Sequence, residues 1–288
     1  FSKLGLAPGD RVAILLGNRI EFVLTMFAAA HAGLVTVLLS TRQQKPEIAY
    51  VLNDCGARCL VHEATLADRI PDAAGVPGLA HRIAVSDDGA SQFARLRDSA
   101  KAQAPAEVRE EDTAMILYTS GTTGHPKGVR RFAPTPEQTA NAEAMRAMIY
   151  GLKPGARAIL PGPLYHSAPN SFGLRSGRLG GALVLMPRFD AEEFLALIER
   201  ERIDTIFMVP TMFIRLMKLP EEVRKKYDMS SLRHIIHAAA PCPADVKRAM
   251  IEWWGPVIYE FYGSTESGAV TFATSEDALR SEEHTSEL

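Results

Sequence analysis

The sequence predicts an α/β protein built on largely parallel β-sheets that are flanked by helices. Short apolar strand patterns alternate with helical patterns along the chain, which is typical of βαβ units. The strand patterns are continuous apolar runs, such as RVAILL at 11–16 and LVTVLL at 34–39. Such runs indicate sheets that are buried on both faces. In sheets of this kind, ligands bind at loops that leave the carboxyl ends of the strands.

The first half of the chain carries five strand patterns and two helical ones. A helix is predicted over Glu21–Ala32, and Gly33 ends it. A second helix is predicted at KPEIAYVLNDCG, with Pro46 in its first turn and Gly56 at its end. Beyond the two strands already named, further strands are predicted at RCLVH (58–62), HRIAV (81–85) and Ala114–Tyr118.

Helix starts are the clearest signals in the second half. Thr135, Pro136 and Gln138 match an N-cap, a first-turn proline and a capping-box partner. Asp190 and Glu193 form a similar capping pair before FLALIERERI, and a third helix is predicted at CPADVKRAMIEWWG. The predicted strands are ARAILPG (156–162), ALVLMPR (182–188), TIFMVP (205–210), LRHIIHAAAP (232–241) and VIYEFYGSTE (257–266).

Composition and charge exclude several classes of protein. The 288 residues are 47% hydrophobic and 23% charged, an ordinary globular balance that supports a core without metals or disulfides. The net charge of −2 leaves no basic footprint, so we expect no nucleic-acid partner. Cys55, Cys59 and Cys242 form no CxxC pair, which favours reduced thiols in a cytoplasmic protein.

The longest apolar run and the two ends of the chain have distinctive sequences. The longest apolar run, FVLTMFAAAHAGLVTVLL, is interrupted by His31 and Gly33 and is not expected to span a bilayer, although peripheral membrane contact stays open. The chain begins at Phe1 with no signal-peptide pattern, so we expect the native N-terminus to lie upstream. RSEEHTSEL (280–288) resembles the translation of a sequencing adapter, with a natural disordered tail as the alternative. We therefore expect one domain over 1–279, incomplete at both ends, followed by a non-native tail.

The stretch YTSGTTGHPKGV, at 118–129, is built from residues that bind phosphate. A Walker A loop requires G-x-x-x-x-G-K-[ST], but Gly121–Gly128 reads G-T-T-G-H-P-K-G and lacks the hydroxyl that would contact Mg²⁺. Glycines still let backbone N–H groups approach phosphate oxygens, and threonine hydroxyls add donors. Lys127 adds a mobile positive charge. This density of polar donors after a buried strand favours a phosphate loop over a plain surface turn.

Four motifs resemble those of the adenylate-forming superfamily, which includes acyl-CoA synthetases, firefly luciferases and the adenylation domains of peptide synthetases. Thr119–Gly128 matches the phosphate-loop signature S/T-S/T-G-T/S-T-G-x-P-K-G throughout. PLYHSAPN (163–170) resembles the acyl-site motif of acyl-CoA ligases, AAAP (238–241) the adenine-side turn, and YGSTE (262–266) the Y-G-x-T-E motif. The motifs occur in the family's order over 1–279, so the chain is identified as a member, from the acyl-CoA synthetase branch.

The resemblance implies a fold, co-substrates and a set of roles. The fold is the N-terminal core of these enzymes, with stacked sheets and without the C-terminal lid domain. ATP, Mg²⁺ and coenzyme A are implied. The loop would hold the β- and γ-phosphates, Tyr262 would stack on adenine, Thr265 would bind the α-phosphate, and Glu266 would bind Mg²⁺. The implied catalytic residues are Thr265, Glu266 and His166, and the implied nucleotide-binding residues are Thr119, Ser120, Gly121, Thr122, Thr123, Gly124, Lys127, Ala239, Ala240, Pro241, Tyr262, Gly263 and Ser264.

The implied reaction has two halves. A carboxylate attacks the α-phosphorus of ATP and releases pyrophosphate, and the thiol of coenzyme A then attacks the acyl-adenylate and releases AMP. Family members continue past Y-G-x-T-E into a ribose-binding aspartate, a hinge and a lid, so we expect this fragment to be impaired in both halves. The apolar residues around PLYHSAPN and FMVPTMF favour a fatty acid, and an aryl, sterol or bile acid stays open.

Several alternatives remain at this point. One is an adenylating enzyme that delivers its acyl group to a carrier-protein thiol or oxidises it. Another is a truncated, non-catalytic nucleotide- or acyl-binding module, and a P-loop NTPase is disfavoured by the failed Walker A pattern. The oligomeric state is not predicted. Some residues have weaker support for a functional role. Asn170 and His237 are candidates for the acyl site, whereas His234 is expected to be a packing residue. Trp253 and Trp254 are expected in the core or an interface, and Arg130 and Arg131 either steer polyphosphate or are simply solvated.

Overall fold

The computed structural model of the chain describes residues 1–109, 112–119, 127–129, 135–265 and 267–280. They divide into two compact units, Phe1–Ala133 with Leu164–Ser167, and Pro134–Pro163 with Ala168–Leu288. Each unit is built on a six-stranded, largely parallel sheet, which confirms the predicted fold class. The predicted extent of the domain, 1–279, stays a prediction.

The sheet of the first unit has the strand order β4-β3-β1-β2-β5-β6, and only the β5–β6 pair is antiparallel. Its strands and helices are β1 (Arg11–Leu15), α1 (Ile20–His31), β2 (Val35–Leu38), α2 (Lys45–Asp54), β3 (Ala57–Glu63), β4 (His81–Val85), α3 (Gln92–Asp98), β5 (Met115–Thr119) and β6 (Lys127–Val129). Short 3₁₀ turns occupy Ser2–Leu4 and Ala64–Arg69.

Helix α2 shows why this unit folds as its sequence predicts. A capping box between Gln44 and Glu47 starts the helix, and Pro46 lies in its first turn. Its buried residues are Ile48, Val51 and Leu52, which share one face at helical spacing and pack into the core of the first unit.

The sheet of the second unit has the order β12-β11-β10-β9-β7-β8, and only the β11–β12 pair is antiparallel. The order reverses between β7 and β9, so a topological switch point lies between these strands. The elements of this half of the chain are α4 (Pro136–Tyr150), β7 (Arg157–Leu160), α5 (Ser167–Arg178), β8 (Ala182–Leu185), α6 (Ala191–Glu201), β9 (Thr205–Met208), α7 (Pro210–Met217), α8 (Glu221–Arg224), β10 (His234–His237), α9 (Ala244–Trp254), β11 (Ile258–Ser264), β12 (Gly268–Ala273) and α10 (Ser275–Arg280).

His234 is a packing residue, as the sequence favoured. Its Nε2 lies 2.7 Å from the carbonyl oxygen of Ile149, and its ring stacks on Tyr259 with the centroids 4.2 Å apart. Gly151 ends α4 with φ +61°, and a Cβ atom there would lie 2.2 Å from His234 Cγ. Glycine is therefore required on two grounds where α4 meets β10.

The two tryptophans at the end of α9 belong to the packing of the second unit. Trp254 is buried in its core, and Trp253 packs against the same cluster with the Arg224 guanidinium over its ring at 5.6 Å. This agrees with the core interpretation of both residues.

Parts of two segments that carry predicted motifs are strand. Lys127 and Gly128 lie in β6, which pairs antiparallel with β5, and Tyr262–Ser264 lie in β11, which pairs antiparallel with β12. The prediction considered only parallel βαβ connections and overlooked β6 and β12. Helices α3, α5, α7 and α8 were also missed. Within the described part of the chain, no helix is long and apolar enough to cross a membrane.

The start of α4 provides a test of local stability. The Thr135 Oγ1 accepts from the Gln138 amide at 3.2 Å, and the Gln138 Oε1 accepts from the Thr135 amide at 2.9 Å, which confirms the capping box. Thr135→Ala is expected to lower the free energy of unfolding by about 1 kcal/mol, because the Gln138 amide loses the side-chain oxygen that accepts its hydrogen bond. Urea denaturation followed by circular dichroism measures this loss.

The matched control is Thr139→Ala, an exposed position inside the same helix. Its effect is expected to stay within about 0.5 kcal/mol of zero. Equal losses in both variants would contradict a capping role for Thr135.

Candidate active site

Two of the predicted nucleotide-binding segments leave neighbouring parallel strands at one edge of the second sheet. Strand β10 runs into Ala238–Pro241, and the adjacent β11 carries Tyr262–Ser264. The register pairs His237 with Glu260, so the two segments begin at nearly the same level. Residues 239–241 are exposed, and Tyr262 is 73% exposed. The Tyr262 ring is thus free of core packing and available to stack on a planar ligand.

Ala239 adopts a backbone conformation that L-amino acids avoid. Its φ is +77°, and only Arg202 shares a positive φ among the non-glycine residues that the structure describes. A residue with a Cβ in this region is destabilised by about 1–2 kcal/mol. Strain of this kind is concentrated at functional sites. The turn predicted to lie against the base is therefore a strained turn.

Tyr262–Ser264, from the Y-G-x-T-E motif, lie at the end of β11, where that strand pairs with β12. The register shifts between Tyr262 and Gly263, and a Cβ on Gly263 would lie 2.1 Å from the carbonyl oxygen of Gly268. Only glycine fits this approach. The Ser264 Oγ accepts from the Ser267 amide at 3.0 Å and closes the turn. Thr265 is half-buried in this turn.

The predicted metal ligand, Glu266, lies outside the described residues, so its role stays a prediction. Among the residues that are described, no group of three or more His, Cys, Asp and Glu side chains could hold a metal ion. A single carboxylate together with phosphate oxygens and water is the ligand set that Mg²⁺ commonly uses. Glu266 fits that pattern by its chemistry alone.

The phosphate-loop stretch is carried by the β5–β6 hairpin of the first unit. Thr119 pairs with Lys127 across the two strands, and Lys127 is exposed. The predicted phosphate-binding residues Ser120, Gly121, Thr122, Thr123 and Gly124 lie outside the described residues, as do Arg130 and Arg131. The hairpin shows where the loop begins and ends, and the phosphate contacts stay predictions.

Tyr118 holds the beginning of this hairpin against the end of α2. Its hydroxyl donates to Asp54 Oδ2 at 2.5 Å. Burial, followed by the hydrogen bond to Asp54, raises the pKa of Tyr118 above its usual range, so the hydroxyl keeps its proton. The strand that leads into the predicted phosphate loop is therefore fixed by a side chain that sequence inspection did not single out.

His166, the predicted residue of the acyl site, lies on a short segment that Asn18 holds in place. The buried Asn18 accepts from the Leu164 amide through Oδ1 at 2.8 Å. His166 retains solvent exposure and lies against Tyr165, with ring centroids 4.7 Å apart. Desolvation by the surrounding atoms, followed by the positive charge of Arg42, lowers the pKa of His166 and favours its neutral form.

Asn170, weighed with less context, is fully buried in α5. A fully buried amide side chain ordinarily has a structural role, and at 0% exposure Asn170 is not accessible to a substrate. It stays the weaker of the two candidates from PLYHSAPN.

A polar cluster lies beside the two predicted nucleotide-binding segments; the sequence analysis weighed its member His237 for the acyl pocket, which stays a prediction, and missed its other two members. Lys247 on α9 is 4% exposed and its Nζ contacts Glu260 Oε2 at 2.5 Å. His237 is fully buried, and its Nε2 lies 3.8 Å from the same carboxylate oxygen. Burial, followed by the charge of Lys247, lowers the pKa of His237 to about 3, so its ring is neutral at pH 7.

A signal for this cluster was present in the sequence. Lys247 occupies the same helical stripe as Met250, Ile251 and Trp254, the other buried residues of α9. A lysine on an apolar stripe is rarely buried unless it has a partner. The pattern would therefore have indicated an acidic partner for Lys247, although not which one.

The family comparison now adds to this geometry. Residues 1–287 match the AMP-binding enzyme family, and the chain belongs to that family. The adenylate-forming class that the fold and the motifs define is thereby established for this chain.

Several relatives are similar over nearly the whole chain. The long-chain-fatty-acid–CoA ligase FadD13 of Mycobacterium tuberculosis is 35% identical over 97% of this chain and 55% of its own length. A feruloyl-CoA synthase of an Amycolatopsis species is 32% identical over 91% of this chain and 50% of its own length. The chain thus spans about half the length of the curated relatives it matches.

Solved structures of related enzymes have the same fold. An inhibitor-bound N-terminal domain of FACL13 from Mycobacterium tuberculosis has a TM-score of 0.85 at 33% identity, covering 97% of this chain and 69% of that one. ATP-bound MatB from Rhodopseudomonas palustris has a TM-score of 0.81 at 27% identity, covering 96% of this chain and 54% of that one. The predicted membership of the acyl-CoA synthetase branch is confirmed at the level of family and fold.

The strain at Ala239 gives a prediction with a definite sign. Ala239→Gly removes the Cβ penalty of about 1–2 kcal/mol but adds freedom to the unfolded chain worth about 0.4–1 kcal/mol. The free energy of unfolding is therefore expected to rise by about 0.5–1 kcal/mol in urea denaturation. Ala240→Gly, at the next position and without a positive φ, is expected to lower it. A loss of stability in Ala239→Gly would show that the strained conformation is not the folded one.

Proposed function

We propose that the full-length gene product activates a carboxylic acid with ATP and transfers the acyl group to coenzyme A, releasing pyrophosphate and AMP. One observation carries the proposal: the two predicted base-binding segments, 238–241 and 262–264, leave adjacent parallel strands at one sheet edge. The Tyr262 ring at that edge is exposed. Membership of the AMP-binding enzyme family and the CoA ligases among the relatives support it.

The chemistry places distinct demands on these residues. A carboxylate is a weak nucleophile toward an anionic phosphate, so the site must neutralise charge and fix the in-line geometry. We assign Thr119–Gly124 and Lys127 to the β- and γ-phosphates that depart. Tyr262 stacks on adenine, with Ala239–Pro241 along the base. Mg²⁺, when bound, offsets charge on the phosphate oxygens.

Two further assignments complete the predicted machinery. Thr265 binds the α-phosphate and Glu266 holds the metal ion. His166 orients the carboxylic acid, and its favoured neutral form suits a hydrogen bond to a carboxylate oxygen without a fixed charge.

We propose a fatty acid, or another acid with an apolar tail, as the substrate. The loops after β7 and β9 flank the switch point of the second sheet, where ligands bind in open α/β sheets. Strand β9 ends at Met208, and helix α7, which follows, carries Met212 and Phe213; all three apolar side chains are buried. The relative FadD13 is named for long-chain fatty acids, and the feruloyl-CoA synthase for an aryl acid.

The thiols of the described cysteines fit a reducing compartment, and we propose a cytoplasmic location. Burial raises the pKa of Cys59 and of Cys242 to about 12 and that of Cys55 to about 11. None of the three is paired in a disulfide. These thiols are chemically quiet, so the acyl acceptor is an external thiol and not a cysteine of this part of the chain.

The test of function is an assay of the purified full-length gene product with ATP, Mg²⁺ and a panel of straight-chain, aryl and sterol-derived acids. AMP and pyrophosphate release are measured with and without coenzyme A, and the thioester is identified by mass spectrometry. We expect stoichiometric AMP and acyl-CoA with fatty acids. If pyrophosphate is released but no thioester forms with coenzyme A, and adding an acyl carrier protein restores thioester formation, the acyl group is delivered to a carrier-protein thiol instead. ATP binding without turnover of any acid would favour a non-catalytic module.

Tyr262 provides a sharper prediction. Tyr262→Ala is expected to weaken ATP binding by about ten- to a hundredfold, because base–aromatic stacking contributes about 1–3 kcal/mol. Its stability should change little, since the side chain is 73% exposed. Isothermal titration calorimetry with Mg-ATP measures the first effect, and urea denaturation the second.

Two controls accompany this variant. Tyr262→Phe keeps the ring and should bind ATP nearly as well as the wild type. Val270→Ala removes another exposed side chain, from the paired strand β12, and should leave ATP affinity unchanged. Normal ATP affinity in Tyr262→Ala would remove Tyr262 from the base site.

A further inference from the structure

The buried contact between Lys247 and Glu260 needs an explanation beyond stability. Lys247 is 4% exposed, and its Nζ lies 2.5 Å from Glu260 Oε2. Taking the Lys247 charge out of water costs several kcal/mol, and the Glu260 side chain, 25% exposed, still contacts solvent, which weakens the attraction between the two. Well-packed apolar residues of similar volume are often as good as a buried ion pair, or better. Stability alone therefore gives little reason for an ion pair at this place in α9 and β11.

The position of the pair is its most informative property. Glu260 lies two residues before Tyr262, on the strand that presents the predicted adenine stack. Its register partner is His237, which directly precedes the strained turn at Ala239. The Lys247 ammonium, on α9, thus contacts β11 one residue before Phe261, the last buried residue of that strand, and beside the last residue of β10.

His237 is a second buried polar side chain beside Glu260. Its side chain is fully buried, and neither ring nitrogen has a hydrogen-bond partner among the described residues. Buried polar groups are seldom left in this state. Nε2 lies 3.8 Å from Glu260 Oε2, less than about 1 Å beyond hydrogen-bonding range. The edge of the ring is fixed by Phe213, at 5.2 Å between centroids.

We propose that Lys247 and Glu260 are positioning residues for the nucleotide, which hold segments 238–241 and 261–264 at a fixed separation. The proposal rests on the function proposed above. The ammonium orients the carboxylate, and the carboxylate faces the neutral ring of His237 across the β10–β11 pair. Neither residue contacts the ligand. The pair acts through the two segments that do, in the way that supporting shells hold binding residues in other sites.

The variants separate positioning from stability. In the double variant Lys247→Met/Glu260→Gln, neither charge is left unpaired, so the global stability is expected to stay close to that of the wild type. Mg-ATP binding is nevertheless expected to weaken about tenfold. Lys247→Arg keeps a cation that reaches the same carboxylate, and its ATP affinity should stay within about threefold of the wild type. Lys247→Met alone serves as a second test, should the double variant fold poorly, because the Glu260 carboxylate that it leaves unpaired retains 25% of its side-chain exposure and can be solvated.

Three measurements are made on the full-length gene product. Titration calorimetry gives the affinity for Mg-ATP, urea denaturation gives stability, and hydrogen–deuterium exchange of the ATP-free protein follows the amides of 238–242 and 261–265. We expect faster exchange at these two segments in the double variant, with the rest of the second unit unchanged. The KM for the acid should rise far less than the KM for ATP.

The matched control is the ion pair between Arg202 and Asp228, which precedes strands β9 and β10 at the opposite, amino-terminal edge of the same sheet. Arg202→Met/Asp228→Asn should leave ATP affinity and exchange at both segments unchanged. The proposal is overturned if the double variant Lys247→Met/Glu260→Gln binds ATP normally, or if its affinity falls only in step with its stability. Should the wild type show no saturable ATP binding, the proposed function fails, and the exchange measurement alone decides whether the pair orders the two segments.

Discussion

A parallel sheet that is buried on both faces confines polar chemistry to the ends of its strands. Strands β2 and β9 are buried along their whole lengths, and β1 and β3 nearly so. Their side chains cannot serve a charged ligand without loss of the core. The candidates His166, Ala239–Pro241 and Tyr262–Thr265 accordingly lie at a strand end or in a turn that follows a strand, whereas Asn170 is buried inside α5. The fold thus limits where a nucleotide can be held before any particular residue is considered.

The regular parts of this fold were predictable because local signals and tertiary packing agree in them. The capping box at Thr135, the stripe of α2 and the apolar strands all follow from residue spacing. Helix α5 was missed because its sequence, SAPNSFGLRSGR, contains two glycines and a proline, which are poor helix formers. Its helix is supported by burial of Phe172 and its neighbours, which no local pattern reveals. The hairpins at Lys127 and Gly268 were missed because parallel units were expected throughout.

The candidate site was predictable only in part: its motif residues were found from the sequence, but the Lys247–Glu260 contact was not. Motif resemblance singled out Tyr262 and Ala239, and the register between β10 and β11 gives a physical reason why two stretches twenty residues apart belong together. Lys247 was overlooked because a lysine in a helix is ordinarily solvated, and only its place on the apolar stripe of α9 departs from that expectation. Its partner Glu260 could not be found from sequence, because the pairing depends on how α9 lies against β11.

The predicted nucleotide-binding segments of the second sheet bring several unfavourable features together within a few residues of one another. Ala239 is held at a positive φ, Gly263 approaches the next strand too closely for any side chain, and His237 is buried with an unmet hydrogen-bonding capacity among the described residues. Each feature is unfavourable by itself. Such features persist where the surrounding structure holds them in place, and they are concentrated at functional sites. The Lys247–Glu260 contact lies within the same few residues. An ion pair that contributes little net stability is well suited to this place, because its directional hydrogen bond fixes a distance that apolar packing would leave adjustable.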